Sequence, residues 1–207
     1  MPDHKRIEGP VRVDVASYPM TVLLAMGLDE TVVSKVMPLF KPVHIPAGTI
    51  TLSVGERWSD LMIIQQGIFR LYYLDANGKE SNKGFFREGQ ILAPTARVAL
   101  EQPSLFYIEA LTDIEAFQCD YQAMADALGS LPHRELAYRL MEDLLDEKIR
   151  REVMFLQLDA AGRYEAFFRD FPALHERIPL HHLASYLGMT DVTLSRIRAR
   201  RRRLIKC

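Results

Sequence analysis

The spacing of apolar residues changes along the chain and separates three regions. Between residues 20 and 40, apolar positions recur at helical spacing and are interrupted by Gly27 and Pro38, which predicts two short helices. From residue 41 to about residue 121, short runs rich in β-branched and aromatic residues are separated by Gly, Pro and Asn, and Asp75 to Gly78 form a strong hairpin-turn signal. Many short strands with this spacing predict an antiparallel barrel or roll.

The third region is helical and starts with a long uninterrupted segment after Pro132. Residues 133–158 contain no Gly or Pro, enough for roughly 37 Å of helix, and apolar side chains recur along them every three or four positions. Since one small β domain cannot cover such a length, we expect part of this seam to contact a second copy of the chain. A helix packed wholly within its own chain is the alternative. The predicted seam residues are Leu136, Leu140, Leu144, Leu145, Ile149 and Val153.

Residues 178–203 predict two helices joined by a tight turn. Leu183, Ala184 and Leu187 form an inner face. Gly188 permits the left-handed backbone conformation that the turn needs, and Thr190 is a favourable N-cap for the second helix. These residue types at these offsets are typical of a helix-turn-helix.

The second helix of this pair continues into a run of arginines. The whole chain has a net charge of −1, yet six arginines lie between residues 196 and 203, which predicts an anionic partner at this end. The first half of a recognition helix meets base edges in the major groove, whereas arginines further along contact phosphates. Arg196 is therefore predicted to read guanine, with Val192 against a thymine methyl group. The predicted DNA-binding residues are Thr190, Asp191, Val192, Thr193, Ser195, Arg196, Arg198, Arg200 and Arg201.

Composition excludes several other classes of protein. With 48% hydrophobic and 26% charged residues the chain is ordinary for a globular protein, and no apolar run approaches the roughly 20 residues that span a bilayer. No signal peptide is evident, so we expect a cytoplasmic protein without a membrane partner. Cys119 and Cys207 cannot supply a disulfide framework or a cluster site. Only His44 lies on the predicted roll, which argues against a metal site and a cupin-type enzyme.

The order of β-roll, long helix and helix-turn-helix resembles the bacterial Crp/Fnr transcription regulators. The strongest segment is LASYLGMTDVTLSRIR, and IPAGTI, GERWSDLMIIQQGIFRLYYLD and FFREGQIL resemble the cyclic-nucleotide-binding type of sensor domain. The resemblance implies an α+β fold in three parts. Residues 20–131 would be a cupin-like antiparallel β-roll that senses an effector, residues 132–158 a dimerisation helix, and residues 159–207 a small all-α helix-turn-helix domain. It also implies a homodimer on a palindromic operator in double-stranded DNA, with RNA polymerase as a further candidate partner.

The chain departs from this family in its predicted effector pocket. Nucleotide-binding members carry Gly-Glu and later an arginine that binds the cyclic phosphate, whereas this chain has Gly89-Gln90 and places Ser104 at the arginine position. Without that cation we expect cAMP to bind weakly or not at all, unless Arg97 replaces it by a register shift. The effector is otherwise unidentified and no cofactor is predicted. The predicted pocket residues are Trp58, Gly89, Gln90, Ile91, Arg97 and Ser104.

The DNA-binding end departs from the family as well. Members commonly have a glutamate where this chain has Val192, so a different base preference is expected. The sequence after the second helix is too short for the β-hairpin wing that usually follows. A ligand-sensing or interaction protein with a degenerate DNA-binding end is therefore the alternative function.

Overall fold

The computed structural model describes residues 17–205. The N-terminal part of that range forms helix α1 (Tyr18–Ala25) and helix α2 (Glu30–Val36), which confirms the predicted pair of short helices. Asp29 caps α2, because its carboxylate accepts a hydrogen bond from the backbone N–H of Thr31 at 2.8 Å. The predictions for Cys207 and for a signal peptide concern residues outside the described range.

The central region folds into two antiparallel four-stranded sheets, which confirms the predicted β-roll. One sheet has the order β1-β8-β3-β6 and the other β2-β7-β4-β5. Buried apolar side chains from both sheets, including Ile64, Phe69 and Ile108, fill the space between them. The strands are β1 (Lys41–Ile45), β2 (Ile50–Leu52), β3 (Asp60–Gln66), β4 (Ile68–Leu74), β5 (Glu80–Arg87), β6 (Ile91–Leu92), β7 (Tyr107–Ala110) and β8 (Ile114–Asp120).

The turn between β4 and β5 forms where the sequence predicts it. A carboxylate oxygen of Asp75 accepts hydrogen bonds from the backbone N–H groups of Asn77 and Lys79, at 2.8 and 2.9 Å. Gly78 has a φ of +79°, a conformation that glycine adopts without strain. The turn therefore connects β4 to β5 directly after the Leu74–Glu80 pair of the ladder.

Two short helices within the roll region are not predicted from the sequence. Helix α3 (Arg97–Glu101) lies between β6 and β7, and helix α4 (Tyr121–Leu128) follows β8. The signal for α4 was present, since Tyr121, Met124 and Leu128 are buried at helical spacing and Asp120 caps the helix. Together with α1 and α2, this helix covers the outer face of β3.

The long helix α5 (Ser130–Gln157) leads to the C-terminal helices. It begins two residues before Pro132, because a proline in the first turn removes no helical hydrogen bond. The remaining helices are α6 (Ala160–Asp170), α7 (Leu174–Arg177), α8 (Leu180–Tyr186) and α9 (Asp191–Ile205). Among residues 17–205, no helix is long and apolar enough to cross a membrane.

The C-terminal helices pack against the roll of the same chain. Their core contains Leu183, Leu187 and Leu194, and it continues into Ile68 and Phe85, which come from β4 and β5. The rings of Phe85 and Tyr186 have centroids 5.3 Å apart across this boundary. The β4–β5 hairpin is thus shared between the two halves of the molecule.

Candidate DNA-binding surface and effector pocket

The turn between α8 and α9 has the geometry of a helix C-cap. Gly188 has a φ of +63° and donates its N–H to the carbonyl of Ser185 at 3.2 Å, while Met189 donates to Ala184 at 3.0 Å. A Cβ on Gly188 would also lie only 2.5 Å from the ring of Phe155 at the end of α5. Glycine is needed here both for the backbone angle and for the close approach of α5.

Helix α9 begins at the predicted cap. The Thr190 hydroxyl oxygen accepts the backbone N–H of Thr193 at 3.2 Å, and the two threonine hydroxyl groups lie 2.9 Å apart. Asp191 lies in the first turn, where the helix dipole favours a negative charge. Leu194 is fully buried beneath this turn and marks the inner face of α9.

The outer face of α9 exposes most of the predicted contact residues. Val192 is 59% exposed, and Asp191, Ser195, Arg196 and Arg200 are exposed beside it or on later turns. Thr193 and Arg198 are half-buried. A polar, cationic surface of this kind can follow a groove of the DNA duplex.

Arg201 lies in a different environment from the other predicted arginines. Its Nε donates to a carboxylate oxygen of Glu165 in α6 at 3.0 Å, and its guanidinium carbon lies 3.3 Å from the centroid of Phe168. Only 25% of its side chain is exposed. The sequence predicts a phosphate contact, whereas the structure gives this residue contacts that hold α9 against α6.

A cavity of about 200 Å³ lies between the roll and α5. Four of the predicted pocket residues, Trp58, Gly89, Gln90 and Ile91, line it. The roll side also contributes the rings of Phe86 and Phe106, and the helix contributes Leu140, Asp143, Leu144, Glu147 and Lys148. Its walls are therefore largely apolar, as is usual for small-molecule sites.

Arg97 and Ser104 do not line this cavity. The Arg97 side chain is 86% exposed and pairs with Glu101 one turn along α3, so it is not placed to replace a buried arginine. Ser104 is buried, and its hydroxyl donates to the carbonyl of Phe106 at 2.7 Å. It lines a smaller neighbouring space of about 110 Å³, which shares Trp58 and Phe106 with the main cavity.

Lys83 is a functional candidate that sequence reasoning missed. It lines both cavities, and its ammonium nitrogen lies 3.9 Å from the centroid of Phe106. Burial, and to a smaller extent the charge of Lys148, lowers its pKa from 10.5 to about 8, while Glu147 acts in the opposite direction. Within residues 17–205, no hydrogen bond or ion pair joins the Lys83 ammonium group to another side chain.

The pairing of β4 with β5 skips Lys83. Leu71 pairs with Gly84 and Tyr72 pairs with Asn82, so Lys83 is the extra residue of a β-bulge. Bulges redirect side chains and are frequent beside functional sites. A sequence pattern with a strict period of two could not reveal this irregularity.

The three parts of the chain meet on the other side of β5. Arg151 of α5 donates to the carbonyls of Lys83 and Asn82, each at 3.2 Å, and to the carbonyl of Tyr186 in α8 at 3.1 Å. Asn82 donates its backbone N–H to the Ser185 hydroxyl at 3.0 Å. The strand that supplies Lys83 to the cavity is thereby bonded to the first helix of the helix-turn-helix.

A buried arginine completes this junction. Arg70 of β4 is bonded to Glu80 and Glu109, and its Nη1 lies 3.0 Å from Nδ1 of His182 in α8. Because an arginine cannot accept a hydrogen bond, Nδ1 of His182 accepts and is unprotonated. Burial and the adjacent charge of Arg70 lower the pKa of His182 to about 4.

Comparisons with known proteins agree with this architecture. The family model of the cyclic nucleotide-binding domain matches residues 42–130. The chain is 23% identical over 176 residues to the anaerobic regulatory protein of Aggregatibacter actinomycetemcomitans, an alignment that covers 79% of this chain and 67% of that protein. The chain also has the fold of a transcriptional regulator of the Crp/Fnr family from Eubacterium rectale, with a TM-score of 0.62 and 16% identity over 84% of this chain and 83% of that one. The chain carries a cyclic nucleotide-binding domain and has homologues among anaerobic regulatory proteins.

A second solved structure supports the same fold. FixK2 from Bradyrhizobium japonicum is similar with a TM-score of 0.66 and 16% identity, over 78% of this chain and 83% of that chain. The Crp/Fnr order of β-roll, long helix and C-terminal helices is therefore confirmed for residues 17–205.

The long helix α5 that follows the β-roll has two apolar faces. Leu136 is 1% exposed and packs in the core of its own chain, Leu140 packs against the same core, and Leu144 lines the cavity. This differs from the sequence prediction, which assigned all three to contacts with a second copy. The remaining predicted seam residues, Leu145, Ile149 and Val153, are exposed, and together with Tyr138, Met141 and Leu156, which were not predicted, they form an apolar stripe with steps of three or four residues.

Proposed function

We propose that this protein is a homodimeric, sequence-specific DNA-binding transcription regulator whose β-roll cavity takes a small effector other than a cyclic nucleotide. A regulator that acts on DNA would work in the cytoplasm, as the sequence analysis also predicts. The observation that carries the proposal is the free cationic face of α9. The alternative, an interaction protein with a degenerate DNA-binding end, would not require such a face.

The difference between the arginines of α9 supports DNA recognition. Arg201 is paired with Glu165, but within the described part of the chain no carboxylate is paired with Arg196 or Arg200. Arg196 lies one turn after Val192 and close to the start of the helix, which is the part that enters the major groove. We propose that Arg196 contacts a base and that Arg200 contacts a phosphate.

The exposed stripe on α5 supports a homodimer. Apolar side chains at steps of three and four residues are typical of a helix that pairs with another helix. A parallel pair of α5 helices would give the molecule two copies of α9, as a palindromic operator requires. Contact with RNA polymerase remains part of the same proposal.

The residues that line the cavity support an effector other than cAMP. The Gln90 side chain accepts the backbone N–H of Arg87 at 2.9 Å, so it is engaged within its own turn. Within residues 17–205, the residues that line the cavity include no arginine, and a cyclic phosphate would lack the bidentate partner it prefers. We therefore expect cAMP to bind weakly at most.

The proposed function is tested by selecting duplexes that bind the full-length protein from a random pool. Binding of the selected duplex, its single-base variants and a scrambled duplex is then measured at several salt concentrations. Arg196→Ala should cost about 1–3 kcal/mol on the selected duplex and relax the preference at one base pair. Arg200→Ala should weaken binding to all duplexes alike and reduce the salt slope by roughly one.

The matched control is Arg97→Ala, which removes an exposed arginine from the sensor domain and should leave binding unchanged. Equal losses for Arg196→Ala and Arg200→Ala on every duplex would show that α9 does not read sequence. Absence of salt-dependent binding by the wild-type protein would favour the interaction protein instead.

A further inference from the structure

The cavity beside α5 has the size and walls of a site for a single ring. An apolar cavity of about 150 Å³ accommodates benzene, so about 200 Å³ leaves space for one ring and a small substituent. Trp58 and Phe106 meet edge to face, with ring centroids 5.9 Å apart, and Phe86 lines the same space.

Lys83 supplies a positive charge to this apolar space without an acidic partner bonded to it. A half-buried ammonium group lowers the stability of the folded protein relative to a hydrophobic side chain at the same position, unless an anion binds to it. The bulge in β5 interrupts the regular strand pairing and directs the Lys83 side chain into the cavity. A local cost of this kind is expected at functional sites.

We propose that the effector is a small carboxylate with an apolar body of about one ring, and that its carboxylate group binds the ammonium group of Lys83. The apolar body would lie among Trp58, Phe86 and Phe106. The role of this carboxylate as an effector rests on the function proposed above. The proposal of the binding site does not depend on that function.

The charges on the opposite wall favour a carboxylate over a phosphate. Helix α5 presents Asp143, Glu147 and Lys148 to the cavity, so the charged side chains on both walls sum to zero with Lys83 included. A dianion would be repelled by the two carboxylates, and within residues 17–205 no guanidinium group lines the cavity to bind it in two places. A monoanion needs only the single cation that the roll provides.

The test uses calorimetry and thermal shift with the full-length protein in the absence of DNA. The probes are benzoate and phenylacetate, with benzamide as the neutral compound of matched shape, and with inorganic phosphate and cAMP as competing anions. We expect the carboxylates to bind at least about tenfold more tightly than benzamide, phosphate or cAMP. Lys83→Met should lose about tenfold in affinity for benzoate and keep its affinity for benzamide.

The matched control is Lys79→Met, an exposed lysine on the same hairpin, which should bind benzoate like the wild type. Lys83→Arg keeps the charge and should retain most of the affinity. Failure of both carboxylates to bind at millimolar concentration, tighter binding of cAMP, or equal benzoate binding by Lys83→Met would each overturn the proposal. Since no DNA is present, such a failure would leave the proposed DNA-binding function untouched. Likewise, a failure of the DNA-binding test would leave carboxylate binding to the cavity untouched.

Discussion

At the scale of the residue, the partly buried charge of Lys83 is predicted to lower the stability of the folded chain at neutral pH. Its pKa is lowered from 10.5 to about 8, so below pH 8 both the folded and the unfolded chain carry the proton and the folded state bears the full cost of burial. Between pH 8 and 10.5 only the unfolded chain keeps the proton, and this cost falls as the pH rises. Lys83→Met should therefore raise the free energy of unfolding at about pH 7 by on the order of 1–2 kcal/mol, and by less at about pH 10.

Urea unfolding of the ligand-free wild type and of Lys83→Met at both pH values measures this effect. Lys79→Met serves as the control, since this exposed lysine should change neither value. A stability difference that is absent at neutral pH, or that grows toward alkaline pH, would contradict the assigned burial of the ammonium group.

The residues that the sequence predicts well are those whose roles depend on their immediate neighbours. Gly188 and Thr190 act through backbone angles and a cap within a few positions, so a local pattern identifies them. Lys83 and Arg151 obtain their roles from a bulge and from carbonyls on other elements. Arg201 is part of a run of arginines, and only the packing of α6 against α9 distinguishes it from the rest.

At the scale of the element, α5 is the helix whose two apolar faces serve different purposes. One face packs in the core of its own chain and beside the cavity, and the other exposes Leu145 at 58% and Ile149 at 48%. The apolar spacing predicts the helix, but it does not separate these faces, because both follow steps of three and four residues. The neighbouring β-roll decides which leucines it covers.

Leu145→Glu should convert the dimer to monomers and lower the affinity for a palindromic operator. A charge at the centre of the exposed stripe would have to be desolvated between two helices. Without an opposite charge beside it, this costs on the order of 3–5 kcal/mol. Sedimentation at micromolar concentration measures the mass. Leu105→Glu is the matched control, because this leucine is 68% exposed and does not belong to the exposed stripe of α5. A wild-type monomer, or a dimer that withstands Leu145→Glu, would exclude α5 pairing through this stripe.

Helices, strands and turns were predictable where the residue composition and the spacing of apolar residues indicated the same element. The strands, the Asp75 turn and the helix pair at the N-terminus follow from such agreement. Helix α4 did not, because its eight residues follow directly on β8 and the apolar positions of strand and helix run together. Its cap at Asp120 was the signal that separates them.

At the scale of the whole molecule, β5 lies between the cavity and the C-terminal helices α8 and α9. Lys83 and Phe86 face the cavity, whereas Asn82 and Phe85 contact α8. Arg151 is bonded to both β5 and α8, so we expect a ligand that moves this strand to shift α8 as well. The order of domains is predictable from the sequence, but this docked arrangement depends on contacts between segments about 100 residues apart and is not.

The contact between α8 and the roll should weaken in acid because of His182. With α8 docked, burial and Arg70 hold the pKa of the imidazole at about 4, and the ring faces Glu80 and His181 as its other charged neighbours. Release of α8 would return the pKa toward 6.5, so docking is fully favoured above pH 6.5 and loses stability as the pH falls from 6.5 to 4. Hydrogen exchange of residues 180–187, corrected for the intrinsic rate, should therefore accelerate between about pH 7 and pH 5.

His182→Gln keeps an acceptor for Arg70 without a titrating group and should abolish this acceleration, whereas His44→Gln, at an exposed histidine of β1, should leave it unchanged. Acceleration that persists in His182→Gln would assign the acid response to another group.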